Sequence, residues 1–198
     1  MRNILLLFFL SFINAQIALP TFQAVHTTHN NISVTDEWDS SNKGSRIVLS
    51  NSDKSATSSN TSGHRWNSVY AKTEVSSGTH TWEVTMTSFD ASASNTWEFV
   101  IGVGHTRNNK TTYCTSGGRA YGYIAENGHK ANSGSSTSYG STYGLNDVIK
   151  VVLDMSTGYL TFYKNNISQG VAFTVDTSKT YYLVASIGNN LTMVEITN

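Results

Sequence analysis

The 198-residue chain holds one cysteine and one proline, and only 13% of it is charged. A single cysteine excludes any disulfide within the chain, so stability rests on a buried apolar core. Thirteen Lys and Arg balance thirteen Asp and Glu, which leaves no basic field to gather phosphate and argues against nucleic acid as a partner. Long apolar runs are also missing. The longest, Ile4 to Ile13, follows Arg2 and precedes Asn14-Ala15; it falls short of the ~20 residues a membrane helix needs and has the pattern of a secretory leader. The sequence therefore predicts a leader over 1–15, an irregular arm over 16–31 carrying Pro20, and one domain over 32–198. The mature chain is expected to be exported and soluble, with no membrane span.

In place of charge the chain carries Ser, Thr and Asn, with ten Tyr and eight Phe, a composition that favours strands and turns over helices. No window sustains helical apolar spacing, so any helix is a single turn. Thr79 to Met86 alternates, placing Trp82, Val84 and Met86 on one face. Trp97 to Gly104 begins by alternating and then runs apolar, as a strand covered on both faces does. Arg46–Ser50, Val69–Ala71, Tyr121–Ala125, Val148–Leu153, Tyr159–Tyr163, Gly170–Phe173, Tyr181–Ile187 and Leu191–Ile196 read as further strands. Asn51 to Gly63 and Asn132 to Tyr143 read as polar loops. Many short strands at near-regular spacing predict an all-β, two-sheet antiparallel sandwich. Trp82, Trp97 and Phe162 belong to its core, whereas Trp38 and Trp66 fit either core or rim.

Five segments share a pattern in the right order. Asn146-Asp147-Val148-Ile149 through Leu153-Asp154, then Gly158-Tyr159-Leu160-Thr161-Phe162-Tyr163-Lys164-Asn165 and Gly170-Val171-Ala172-Phe173, resembles the C-terminal run of SPRY (B30.2/SPRY) domains. Ser77-Gly78-Thr79-His80-Thr81-Trp82-Glu83-Val84 is similar to the family's "SGKHYWEV", with Thr81 in place of the usual Tyr. Phe99 to Val103 resembles its "IGV" strand, Tyr121-Gly122-Tyr123 with Asn127-Gly128 its "YGY…DG", and Tyr182 to Gly188 its "YYPAVSLG". Trp38-Asp39 and Gly44 to Asn51 are similar to its N-terminal strands. The resemblance implies a bent, concanavalin-like sandwich whose loops form a shallow protein- or peptide-binding surface, with no chemistry of its own. Family members often sit beside ubiquitin-ligase or scaffold modules inside cells; the leader implies instead a secreted, stand-alone member. Ile187-Gly188 occupies the place of a Trp-Gly pair in peptide-binding relatives.

Function is expected on loops held by the sandwich. Arg107, Tyr113, Arg119, Tyr139, Trp66 and Asn189 are the candidate partner-binding residues, since Arg, Tyr and Trp anchor interfaces. Arg107→Ala with Tyr113→Ala is expected to abolish capture and leave unfolding unchanged. A glycan is the alternative ligand. No catalytic residue is assigned: the Glu-x-Asp-x-Glu of sandwich glycosidases is absent around Glu83, Glu98, Asp147 and Asp154. His26-Thr27-Thr28-His29 has no thiolate or carboxylate beside it, so no metal or other cofactor is expected. Asn31, Asn60, Asn109, Asn166 and Asn190 open Asn-x-Ser/Thr glycosylation sequons. Cys114 reads as inert, although Thr115-Ser116-Gly117-Gly118 suggests a mobile loop from which it would cross-link two chains.

Overall fold

A computed structural model describes residues 31–33, 36–59, 65–88 and 99–198. The leader, residues 16–30 of the arm, His26, His29, Asn60, Trp97 and Glu98 lie outside the described residues. Fifteen strands form: β1 (Asn31–Ser33), β2 (Trp38–Lys43), β3 (Ile47–Ser50), β4 (Ser55–Ser58), β5 (Asn67–Val75), β6 (Thr79–Ser88), β7 (Phe99–Gly104), β8 (Ala120–Ile124), β9 (His129–Asn132), β10 (Ser135–Ser138), β11 (Val148–Asp154), β12 (Tyr159–Lys164), β13 (Ile167–Thr174), β14 (Tyr181–Ile187) and β15 (Met193–Ile196). The only helical turn among the described residues is a short 3-10 segment, Ser116–Gly118.

The strands pair into two sheets that form a sandwich, as the sequence predicts. One runs β13-β12-β11-β6-β15-β4-β3, with β1 added in parallel beside β6. The other runs β10-β9-β8-β7-β14-β5-β2. All the other pairings are antiparallel. On β6 the alternation works as read: Trp82, Val84 and Met86 turn inward and are buried. Ile149, Val151 and Leu153 of β11 meet them from the neighbouring strand. From the second sheet Phe99, Ile101, Val103, Tyr123, Tyr181 and Leu183 fill the other half of the core. Trp38 is core, not rim, with no exposed surface. Each such side chain contributes roughly 1.5–3 kcal/mol by leaving water.

Two polar stretches read as loops are strands. Ser55–Ser58 is β4, held between β15 and β3, with Ala56 and Ser58 fully buried. Ser135–Ser138 is β10, a fully exposed edge strand paired with β9. The turn between them is Ser133-Gly134, both at positive φ, the backbone that a two-residue hairpin requires.

Candidate functional site

The segment from His105 to Arg119, between β7 and β8, folds back over the outer face of the second sheet. β5, β7, β8 and β14 each present a small or apolar residue there: Tyr70, Val100, Ala120 and Val184. Cys114 of the crossing segment seals them into a second buried cluster. Backbone and hydroxyl bonds fix the crossing. Ser68 N–H donates to Lys110 O (2.9 Å), Ser68 Oγ–H to Thr112 O (2.8 Å), and Cys114 N–H to Ser186 Oγ (2.9 Å). The segment lies this close because Gly122 has no side chain; a Cβ there would sit 2.5 Å from Val100 Cγ1 and 2.9 Å from Thr115 Cγ2. The expected mobile loop is therefore a packed third layer. Cys114 has no exposed surface, and burial pushes its thiol up to about 11, which removes it as an interchain cross-link or nucleophile.

At the rim of this layer three separate stretches meet: Ser45-Arg46, Arg65-Trp66-Asn67 and Thr111-Thr112-Tyr113. They line an open hollow of about 440 Å³. Gly44 lets them converge, since a Cβ at that position would lie 2.3 Å from Lys110 O. Asn67 is buried and ties two of the stretches together: its Oδ1 accepts from Arg46 N–H (3.4 Å) and its Nδ2 donates to Arg65 O (3.3 Å). Trp66 and Tyr113 stand edge to face, with ring centroids 4.7 Å apart, an arrangement that favours aromatic pairs. Burial, with the neighbouring Cys114, raises the Tyr113 phenol well above its usual value, so it stays a neutral hydrogen-bonding group. The described lining holds two guanidinium groups, two aromatic rings and short hydroxyls, with no carboxylate, thiol or imidazole. That set suits binding through charge, stacking and hydrogen bonds, and offers no acid–base pair.

Of the six partner-binding residues expected from the sequence, the fold brings Trp66 and Tyr113 together. Asn189 is buried in the turn after β14, next to the hollow through the bond from Arg65 N–H to Gly188 O (3.2 Å). Arg107 lies elsewhere and works inside the fold. Its Nη1 pairs with Asp39 Oδ2 (3.0 Å), its Nη2 donates to the carbonyls of Ala71 and Lys72 (2.9 Å each), and its guanidinium stacks 3.8 Å above the Tyr182 ring. Arg119 is exposed at the start of β8, its carbonyl accepting His105 N–H (3.0 Å). Tyr139 leans on the core edge-on to Tyr123 and Phe162, its hydroxyl donating to Gly170 O (2.5 Å). Sequence reading missed Ser45 and Arg46; it covered Arg65, Asn67, Thr111 and Thr112 only as parts of two candidate binding loops, Asn51–Asn67 and His105–Arg119, without singling them out.

The described carboxylates weighed for hydrolysis serve the strands. Glu83 pairs with Lys150 (3.1 Å) and Asp147 with Lys164 (3.1 Å). Asp154 closes its turn by accepting from Ser156 N–H and Oγ–H. Among the described residues no cluster of three or more His, Cys, Asp or Glu stands ready for a metal, and no helix is long and apolar enough to cross a membrane.

The sandwich is shared with solved structures. The SPRY domain of human HERC1 superposes with a TM-score of 0.66 at 22% identity, covering 81% of this chain and 97% of that one. The TRIM65 PSpry domain gives 0.63 at 15% identity, covering 84% and 91%. Stonustoxin gives 0.59 at 16% identity, covering 83% of this chain and 27% of the toxin chain. No curated protein matches the sequence. The SPRY domain profile matches residues 79–197, more than half of the chain and the whole stretch from β6 through β15. On that match, and on the two-sheet architecture it predicts, the chain belongs to the SPRY domain family.

Proposed function

We propose that this chain is a secreted, non-enzymatic SPRY module that holds a short extended or turn segment of a partner protein in the hollow between Trp66 and Tyr113. SPRY domains are typically protein-interaction modules, and the secretory pattern before residue 16 supports a role outside the cell. The observation that carries the reading is the preformed aromatic pair flanked by Arg46 and Arg65. Rigid rings add contact area at little entropic cost, and a hollow built on buried bonds needs no ordering when the ligand arrives. The two guanidinium groups supply direction to backbone carbonyls or an acidic side chain.

Selection of displayed random peptides on the chain purified from culture medium tests this. Binders are expected to converge on a shared short motif and to lose at least tenfold in affinity against Trp66→Ala, about 1.4 kcal/mol, with the Tm unchanged within a few degrees. Peptides that bind Trp66→Ala as well as the parent would move the surface elsewhere. A glycan array that captures the chain while no peptide does would replace the protein ligand by a sugar.

A further inference from the structure

Two described sequons present their asparagines very differently. Asn109 turns its amide nitrogen inward, donating to Ser116 O (2.7 Å) and Cys114 O (3.3 Å). Two carbonyl partners identify that atom as Nδ2, with both of its hydrogens engaged. An N-linked sugar would take one of those hydrogens and break the packed crossing over the second sheet.

Asn166 is the reverse case. It sits in the two-residue turn Asn165-Asn166 between β12 and β13, both residues at positive φ. Asn165, itself exposed, turns back to the start of β11, donating to Asp147 Oδ1 (2.7 Å) and accepting from Val148 N–H (2.9 Å). Asn166 is exposed and meets Lys150 Nζ at 2.8 Å. Because an ammonium only donates, the atom it meets is Oδ1, which leaves Nδ2 without a bond to the described residues. A sugar on that nitrogen keeps the lysine bond intact.

The strand that follows is the edge of its sheet. Its far half is capped from within, by Tyr139 Oη–H on Gly170 O and Lys130 Nζ on Ala172 O. Its first residue, Ile167, is 70% exposed, and the Ile167 carbonyl is met only from within the strand, by Gln169 Nε2 (2.9 Å). An edge strand that begins with an exposed apolar side chain invites pairing with another chain.

We infer that Asn166 is an N-glycosylation site whose glycan shields the exposed apolar start of β13, while the Asn109 sequon stays unmodified. In the transfer, Asn166 Nδ2 bonds the anomeric carbon of a lipid-pyrophosphate-linked oligosaccharide; that carbon's bond to phosphate breaks, lipid pyrophosphate departs, and the nitrogen gives up one proton. The inference rests on the export reading above.

The test is glycopeptide mass spectrometry of the full chain secreted by insect cells, released with peptide-N-glycosidase in ¹⁸O water. The Asn166 peptide is expected to gain the label and the Asn109 peptide to remain unlabelled. Asn166→Gln and Ser168→Ala each remove the same glycan and are expected to raise the multimer fraction in light scattering. An unlabelled Asn166, a labelled Asn109, or monomeric variants would overturn the assignment. A second version carrying the host's own leader separates the two readings. If only that version is secreted and labelled at Asn166, export by the native leader fails while the acceptor assignment stands.

Discussion

The hydroxyls of Ser68 and Ser186, from adjacent strands of the second sheet, lie 2.6 Å apart in its buried outer face. Their neighbours fix the direction of every proton. Cys114 N–H donates to Ser186 Oγ, and Thr112 O accepts from Ser68 Oγ. Ser186 therefore donates to Ser68, and one continuous relay stitches the crossing segment to β14 and β5.

Ser186→Ala strands the Cys114 N–H and removes the donor to Ser68. A loss of about 1–3 kcal/mol is expected, the cost of an unsatisfied buried polar group. Because the two hydroxyls act in one chain, Ser68→Ala with Ser186→Ala is expected to cost less than the sum of the single changes. Urea unfolding of the three variants gives the cycle; strict additivity would dismiss the relay.

Arg107→Ala is expected to unfold more easily than the parent, against the sequence-based expectation of no change. The side chain holds an ion pair, two carbonyls and the Tyr182 ring together. With charge-assisted bonds at roughly 1.5–3 kcal/mol and some screening by solvent, the loss is expected near 2 kcal/mol. Arg107→Lys is expected to recover little, because a point charge does not reproduce the planar fork. Thermal melts of both variants check this, and peptide capture by Arg107→Lys is expected to persist.

Acid sensitivity should pass partly through Asp147. Burial alone would raise its carboxyl, yet the Asn165 amide, Gly144 N–H and Lys164 together hold it below the usual aspartate value. A folded pKa depressed below the unfolded one contributes stability fully above about pH 4, which is lost as pH falls through the folded value. Asp147→Asn is expected to flatten the fall in unfolding free energy between about pH 4 and pH 2. An unchanged slope would assign the acid limb to other carboxylates.

Cys114 is expected to ignore iodoacetamide and dithionitrobenzoate in the native chain and to react fully in denaturant. Burial raises its thiol to about 11, so almost no thiolate exists at neutral pH, and no path reaches it. Rapid native labelling, or a dimer on a non-reducing gel, would contradict the sealed cluster.

How much was legible follows from where the signal lay. β6 announced itself because Trp82-x-Val84-x-Met86 alternates at the period of a strand, and β11 because Val148-Ile149 and Val151-Val152-Leu153 make a short apolar run closed by a turn. β4 and β10 did not, since Ser, Thr and Ala carry no apolar contrast. β4 is a strand because β15 and β3 flank it, which is a tertiary cause. Trp66 and Tyr113 were visible as residue types, but their contact joins segments that only the crossing layer brings together. The structural role of Arg107 was hidden for the same reason: its partner Asp39 stands 68 positions earlier, and nothing in either neighbourhood advertises the other.

Gly44 and Gly122 mark the two places where the third layer touches bare backbone, while Ser45, Thr111 and Thr112 stand exposed above it. Shape and lettering are thus held by different residues. On the proposed reading, exchanging the exposed three would change the ligand without reworking the seal beneath, so specificity would diverge at little cost to foldedness.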